Sequence, residues 1–379
     1  MVHHFRMIPT QRLPATLTSL DAALAALLHR LEPVAAEALP LAEALGCVAA
    51  DLPPLQAYPR RDVAVTDGWA LRARDLVGAS SYSPLPLAAS PVWVEAGEAI
   101  PAGCDCVIDA DLLDRTGPLV QALAEAIPGQ GVRRAGAEIG EGRTVIAAGR
   151  RVRPLDLLIA RVAGLAELNV RRPRLRIVDI PARSGDAVTA ELISETARAA
   201  GADVVRADAA ARDAASIAAA LEPGGSDMLI TIGGSGVGGG DAVIAGLAQR
   251  GEIIAHGIAL QPGRTAAAGR IGKVPVIALP GAPDQALAVW WTMALPVLDR
   301  LSALRPRLQP TLPLARKIAS GVGIAEVVLL EQIEAEWMPL AVGDLSLDAI
   351  ARADAWLAVP GDAEGFAAGT PVGAYMLRD

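Results

Sequence analysis

The chain has 379 residues, 52% of them hydrophobic and 20% charged, with a formal net charge of −8. That length holds roughly two to four cores, and no run of roughly 18 uncharged apolar residues is present to span a bilayer. An acidic balance with only 3% aromatic residues excludes an ordinary nucleic-acid surface, which needs clustered cations or stacking rings.

The first ten residues lack the apolar core of a signal peptide, and His3 and His4 read as unstructured. Three cysteines, Cys47, Cys104 and Cys106, fit no zinc spacing and read as reduced thiols in a cytoplasmic protein. Thr18 and Ser19 cap a helix from Leu20 to His29, with Leu20, Leu24, Leu27 and Leu28 on one face. Pro40 to Ala50 reads as a second short helix closed by Gly46. Pro53 to about Arg134 is Pro- and Gly-rich with short apolar runs, a β-rich segment inserted into a helical one; Cys104 and Cys106 alternate there along one strand as packing residues. Glu141–Ile146 reads as a strand and Arg151–Ala163 as a helix.

From Arg174 the pattern alternates in longer units. Strands are expected at Leu175–Ile180, Asp203–Arg206, Met228–Ile232 and Val274–Leu279, with helices at Ala187–Ala200, Ala214–Leu221 and Asp284–Leu301. Such alternation implies a parallel, doubly wound sheet with ligands at the carboxyl ends of its strands. Arg171 to Arg176 is the one dense basic cluster, read as solvated surface. A proline-rich linker at 305–313 leads to a small β region with strands at Glu326–Leu330, Ala355–Val359 and Val372–Leu377 and a helix at Leu347–Ala353. The fold class is therefore α/β and multidomain. Its parts are an N-terminal region (14–52 with 137–170), an inserted β-rich domain (53–136), a doubly wound domain (171–304) and a C-terminal β domain (305–379).

The stretch after Ile232 carries the chemistry. Seven of the eight positions 233–240 are Gly or Ser, and Asp241 then opens a helix as its N-cap. Strand, glycine turn and helix place bare N–H groups where an anion can sit; a turn needing glycine only for its backbone angles is the alternative. Gly234 to Gly239 also satisfies GxGxxG, but the acidic residue about 20 positions on, Glu252, precedes its apolar run rather than ending it, so a dinucleotide dehydrogenase ranks last. His256 reads as a packing residue, and at least one of Trp290 and Trp291 as core. No Ser/His/Asp set, HExxH motif or Walker lysine is present.

Six segments, in order, resemble the molybdopterin molybdenumtransferase family of MoeA and the gephyrin E domain. They are Pro40-Leu-Ala-Glu-Ala-Leu-Gly46, Asp62-Val-Ala-Val-Thr-Asp67-Gly-Trp-Ala, Pro101-Ala-Gly-Cys-Asp105, Gly233-Gly-Ser-Gly-Val-Gly with Asp241, Gln261-Pro-Gly-Arg264 and Leu279-Pro-Gly-Ala-Pro283. The resemblance implies a MogA-like molybdopterin-binding domain in an elongated homodimeric subunit. It also implies insertion of molybdate into adenylylated molybdopterin with Mg²⁺, release of AMP, and transfer of cofactor to a molybdoenzyme. Carried onto this chain, it implies Asp62, Asp67, Asp241 and Arg264 as catalytic residues. Gly233, Gly234, Ser235, Gly236, Gly238, Gln261, Gly263, Pro280 and Gly281 would hold the pterin, and Asp241 with Asp213 the metal. Asp105 is read as a turn residue. The family's TGDEL segment aligns with Ile180-Pro-Ala-Arg-Ser184, leaving Asp186 nearby; Gln261 and Arg264 stand at two lysine positions; and Ala282 replaces an asparagine. Those departures raise two alternatives, a pterin-binding carrier without insertase activity and a scaffold.

Overall fold

The computed structural model describes residues 11–181 and 187–378. It contains two compact units, residues 52–147 with 154–166, and the remainder. His3, His4 and Asp186 lie outside the described residues, as do positions 182–184 of the segment aligned with TGDEL. No helix among the described residues is long and apolar enough to cross a membrane.

The larger unit is organised on a six-stranded sheet. Its order is Asp203–Asp208, Arg174–Asp179, Met228–Ile232, Val274–Leu279, Ala267–Ile271, Glu252–His256. The first four strands are parallel and Ala267–Ile271 runs antiparallel to both its neighbours, so the sheet is mixed rather than wholly parallel. The cause is local. Gly272 and Lys273 alone separate the paired residues Ile271 and Val274, and a two-residue loop closes only a hairpin. Gly272 takes φ 59°, the left-handed conformation such a loop needs.

Met228–Ile232 is buried at all five positions, as a central strand covered on both faces must be. Met228, Ile230 and Ile232 pack into one core with Leu175, Ile177 and Leu279, while Leu229 faces a second core with Val178, Val276 and Leu247. Helices Val188–Ala199 and Ala214–Ala220 form within a residue or two of expectation. The helix expected at 284–301 runs from Pro283, with a π-helical turn at Trp290–Ala294. Pro296 has no N–H to give Thr292, and the Leu295 N–H reaches back to the Trp290 carbonyl instead. Trp290 and Trp291 are both buried, and Trp291 stacks on Trp356 with centroids 5.7 Å apart.

A second sheet joins sequence-distant parts of this unit. Thr18–Ser19 pairs in parallel with Ile258–Gln261, which pairs with Ala325–Ile333, and Ala355–Val359 and Tyr375–Met376 follow. Ser19 caps the helix Leu20–Leu28, its Oγ accepting from the Ala22 N–H. The strand Glu336–Val342 was not anticipated because its hairpin turns on Glu334 at φ 55° rather than on a glycine.

Pro40 to Ala50 is not a helix. Glu37–Pro40 and Val48–Ala49 are strands flanking Glu167–Arg171, joined by one turn in which the Glu43 and Ala44 N–H groups reach the Pro40 carbonyl. Five residues between Pro40 and Gly46 are too few to hold a helix against that pairing.

In the smaller unit Val92–Val94, Gly68–Leu71 and Cys106–Ile108 form an antiparallel sheet. Arg115 lies over the Trp69 ring, 4.6 Å from its centroid, and Trp93 meets Trp69 edge-on. Cys104 sits in the turn before the strand rather than on it. Cys106 is fully buried, and burial first, then Asp105 and Cys104, pushes its thiol up to about 11, as a packing residue requires. Asp105 accepts from the Ala73 N–H at 2.7 Å, the turn role expected of it. Residues 141–146 are turns, not a strand, and the following helix begins at Pro154, where a residue lacking N–H starts a helix without loss.

Leu229 is fully buried on the strand that carries the glycine turn. Leu229→Ala is expected to remove about 2–5 kcal/mol of stability, read as a fall in thermal midpoint with the ligand-free protein.

Candidate functional site

The carboxyl ends of three adjacent parallel strands open onto a cavity of about 370 Å³. Asp179 and Ile180 line it from the first, Ile232 to Gly236 from the second, and Pro280 to Ala282 from the third, with Thr189, Arg212, Asp241, Thr265 and Gln285 around them. Gly233 and Gly234 take φ 82° and 69°, which fold the chain away from the strand at little cost only because they lack a Cβ. Thr189 holds the opposite wall, its Oγ1 donating to the Gly281 carbonyl at 2.7 Å.

What distinguishes the glycine loop is where its carbonyls go. The Gln11 Nε2 donates to the Gly234 carbonyl at 3.1 Å and the Gly236 carbonyl at 2.8 Å, while Gln11 Oε1 accepts from the Ile244 N–H at 2.8 Å. His256 Nε2 meets the Ser235 carbonyl at 3.1 Å, and because a carbonyl only accepts, that nitrogen carries the proton. Three successive carbonyls are thereby tied. Among the described residues nothing accepts from the N–H groups of Gly234, Ser235 or Gly236. Ser235 Oγ is buried and also finds no partner among the described residues. Leaving such a hydroxyl unpaired costs roughly 1–3 kcal/mol, which an oxyanion bound at this wall would offset.

Not every glycine of the run is a donor. The Gly233 N–H is spent on the Leu279 carbonyl and the Gly238 N–H on Asp241 Oδ2, at 2.9 Å each. Asp241 is not the cap of the next helix, which spans Val243–Ala248 with Ala242 at its start. Its carboxylate turns back into the loop instead, Oδ1 accepting from Arg212 Nη2 at 2.7 Å. Arg212 also donates to the Pro181 carbonyl at 2.7 Å and the Gly240 carbonyl at 3.2 Å. A Cβ on Gly236 would stand 2.6 Å from Asp241 Oδ2, so this position is glycine because a carboxylate occupies the space.

Asp213 caps Ala214–Ala220, and the Ser216 N–H and Oγ hold its carboxylate below the usual range. It does not line the cavity. Asp179 does, and burial pushes its carboxyl up, with Asp208 beside it acting in the same sense and Arg206 opposing.

Of the other expected site residues, Pro280 and Gly281 line the cavity, while Gln261, Gly263 and Arg264 do not; their neighbour Thr265 does. The Arg264 side chain is exposed and has no hydrogen bond or ion pair among the described residues. Asp62 and Asp67 belong to the smaller unit. Each organises a turn there, Asp62 accepting from the Ala135 N–H and Asp67 from the Ala96 N–H, both at 2.8 Å. Gln11, Arg212, Asp179 and the loop-binding role of His256 were missed. Nothing local marks Gln11, since its partners lie more than 220 positions away.

Two measurements check this geometry. Gln11→Ala should raise the Kd for a phosphate-bearing ligand about tenfold, the equivalent of one modest hydrogen bond. Gln11→Glu should do worse, because it sets a carboxylate against two carbonyl oxygens. Asp179 has a folded pKa above its unfolded value of 3.8, so its contribution is fully present below 3.8 and lost as pH rises through the folded value. Asp179→Asn is therefore expected to raise the thermal midpoint at pH 7, with the advantage closing as pH falls towards 3.8.

Comparison with known proteins places these features in one family. Residues 18–164 match the model of the MoeA N-terminal region (domains I and II), and residues 182–300 that of the probable molybdopterin-binding domain. The chain is 29% identical over 313 residues to molybdopterin molybdenumtransferase 2 of Mycobacterium tuberculosis, covering 72% of this chain and 76% of that one. It is 27% identical to the molybdopterin molybdenumtransferase of Synechococcus elongatus, covering 90% and 94%. The MoeA protein of Pyrococcus horikoshii, at 22% identity, superposes with a TM-score of 0.72 over 96% of this chain and all of that one, a likeness of fold. The two family models, which together cover residues 18–164 and 182–300, show that this protein belongs to the MoeA family.

Proposed function

We propose that this chain is a molybdenum-cofactor biosynthesis enzyme, a molybdopterin molybdenumtransferase, that inserts molybdate into adenylylated molybdopterin and releases AMP. The observation that carries the reading is the open N–H triplet of Gly234, Ser235 and Gly236, inside the segment matched to a molybdopterin-binding domain. Adenylylated molybdopterin carries phosphate, molybdate is itself an oxyanion, and three preorganised amides suit either. Hydrogen bonds to a charged acceptor are worth roughly 1.5–3 kcal/mol each, enough in concert to hold a phosphate group.

In this reading the glycine loop holds the terminal phosphate of the pterin against Ser235, and Pro280 and Gly281 form the facing wall. Arg264, exposed and unpaired among the described residues, supplies a guanidinium for a second oxyanion, AMP phosphate or incoming molybdate. Asp62 and Asp67, carboxylates of the smaller unit, are proposed as catalytic residues from their positions in the segment Asp62-Val-Ala-Val-Thr-Asp67. The enzyme would work as a homodimer and hand its product to a molybdoenzyme. The relatives from Mycobacterium tuberculosis, Haemophilus influenzae and Synechococcus elongatus are named molybdopterin molybdenumtransferases, and nothing in those names favours a carrier without activity.

The test is molybdate-dependent AMP release from adenylylated molybdopterin, followed by chromatography. Bound pterin with no AMP released at saturating molybdate would overturn the transferase reading. Arg264→Ala is expected to lower kcat/KM by about 10²-fold, the scale for losing one donor that stabilises a transition-state charge. Gly236→Ala, which forces Asp241 out of its place, should instead raise the Kd for the pterin.

A further inference from the structure

The family resemblance implies Mg²⁺ at Asp241 and Asp213, and the donor set present does not fit it. Among the described residues no group of three or more His, Cys, Asp or Glu could hold a metal ion. Both oxygens of Asp241 are taken, by Arg212 Nη2 at 2.7 Å and by the Gly238 N–H at 2.9 Å. Both oxygens of Asp213 are taken by Ser216, and that residue lies off the cavity. Asp179 is the remaining carboxylate on the cavity wall among the described residues, and it joins no cluster of three or more candidate ligands there, whereas a hard dication takes several oxygen ligands.

What stands against Asp241 is a guanidinium. Arg212 is fixed by three acceptors: the Gly240 carbonyl at Nε, the Pro181 carbonyl at Nη1 and Asp241 at Nη2. Among the described residues these use three of the five N–H groups an arginine carries, leaving one on each terminal nitrogen of a residue that lines the cavity. A divalent cation at the same carboxylate would have to displace this fixed positive charge or sit beside it.

We propose that Arg212 is the built-in cation of this cavity: it serves as counter-ion to Asp241 in place of a divalent metal and offers its two spare N–H groups to the bound oxyanion. The proposal rests on the reading of the glycine loop as an oxyanion site. It makes ligand capture at this wall independent of metal, whatever metal the reaction uses elsewhere. The planar fork suits a phosphate or molybdate edge, whereas a lysine could serve only as a point charge.

The full-length protein can be titrated with Mn²⁺, free ion being read by electron paramagnetic resonance, and with inorganic phosphate by calorimetry. Wild type should show no Mn²⁺ binding that Asp241→Asn abolishes, and its phosphate affinity should be unchanged by EDTA. Arg212→Ala frees the carboxylate. It should lower phosphate affinity about tenfold without metal, gain a Mn²⁺ site that is lost again in the Arg212→Ala/Asp241→Asn pair, and recover phosphate binding when Mn²⁺ is added. Arg212→Lys should keep the charge, gain no metal and recover phosphate binding only in part. Stoichiometric Mn²⁺ binding by wild type that Asp241→Asn removes would overturn the proposal, as would an Arg212→Ala protein with unchanged phosphate affinity. Absence of phosphate binding to wild type, with or without Mn²⁺, would remove the oxyanion reading of the loop. The Mn²⁺ titrations would still decide whether Arg212 excludes metal.

Discussion

The site depends on the direction in which three peptide groups point. A peptide group places the carbonyl of one residue and the N–H of the next on opposite sides, so tying the Gly234 and Ser235 carbonyls turns the Ser235 and Gly236 N–H groups the other way, and among the described residues nothing accepts from them. Glycine permits that conformation but does not select it. Selection comes from Gln11 and His256, whose donors hold the loop from behind. Both are brought there by pairing between distant segments. Thr18–Ser19 lies along Ile258–Ala259, which fixes where the preceding residues run, and His256 ends the edge strand just before that pairing.

Charge in the loop is balanced internally. Asp241 fills the concave side of the turn and Arg212 neutralises it, so the cavity keeps its neutral N–H donors without a bare carboxylate repelling an anion. The glycines at 236 and 238 are as much a consequence of this as of any ligand, since a Cβ at either would press on the Asp241 oxygen. A run that reads as a phosphate cradle thus does two jobs. Among the described residues three of its amides stay open, and one is spent on holding the carboxylate.

The departures from the family pattern look different once the site is assembled. The resemblance points to carboxylates and a metal, and the cavity wall carries one carboxylate paired with arginine, Asp241, and one whose pKa burial raises, Asp179. Arg212 is the partner of that first carboxylate, Asp241.

Much was legible in the residues alone. The central strand Met228–Ile232 follows from an unbroken apolar run, and the glycine turn and Pro280-Gly281 fall at strand ends because strand–helix alternation puts them there. Those signals are local, carried by side-chain period and by the angles glycine and proline permit. Contacts across the chain decided the rest. Pairing with Glu167–Arg171 turned an expected helix at Pro40 into two strands, and a two-residue hairpin reversed the far edge of the sheet. Gln11 and His256 became loop pins, and Asp241 became an arginine's partner instead of a helix cap. Only the folded chain sets such roles, because hydrogen bonds between residues 21, 29 and 223 positions apart leave no pattern in either neighbourhood.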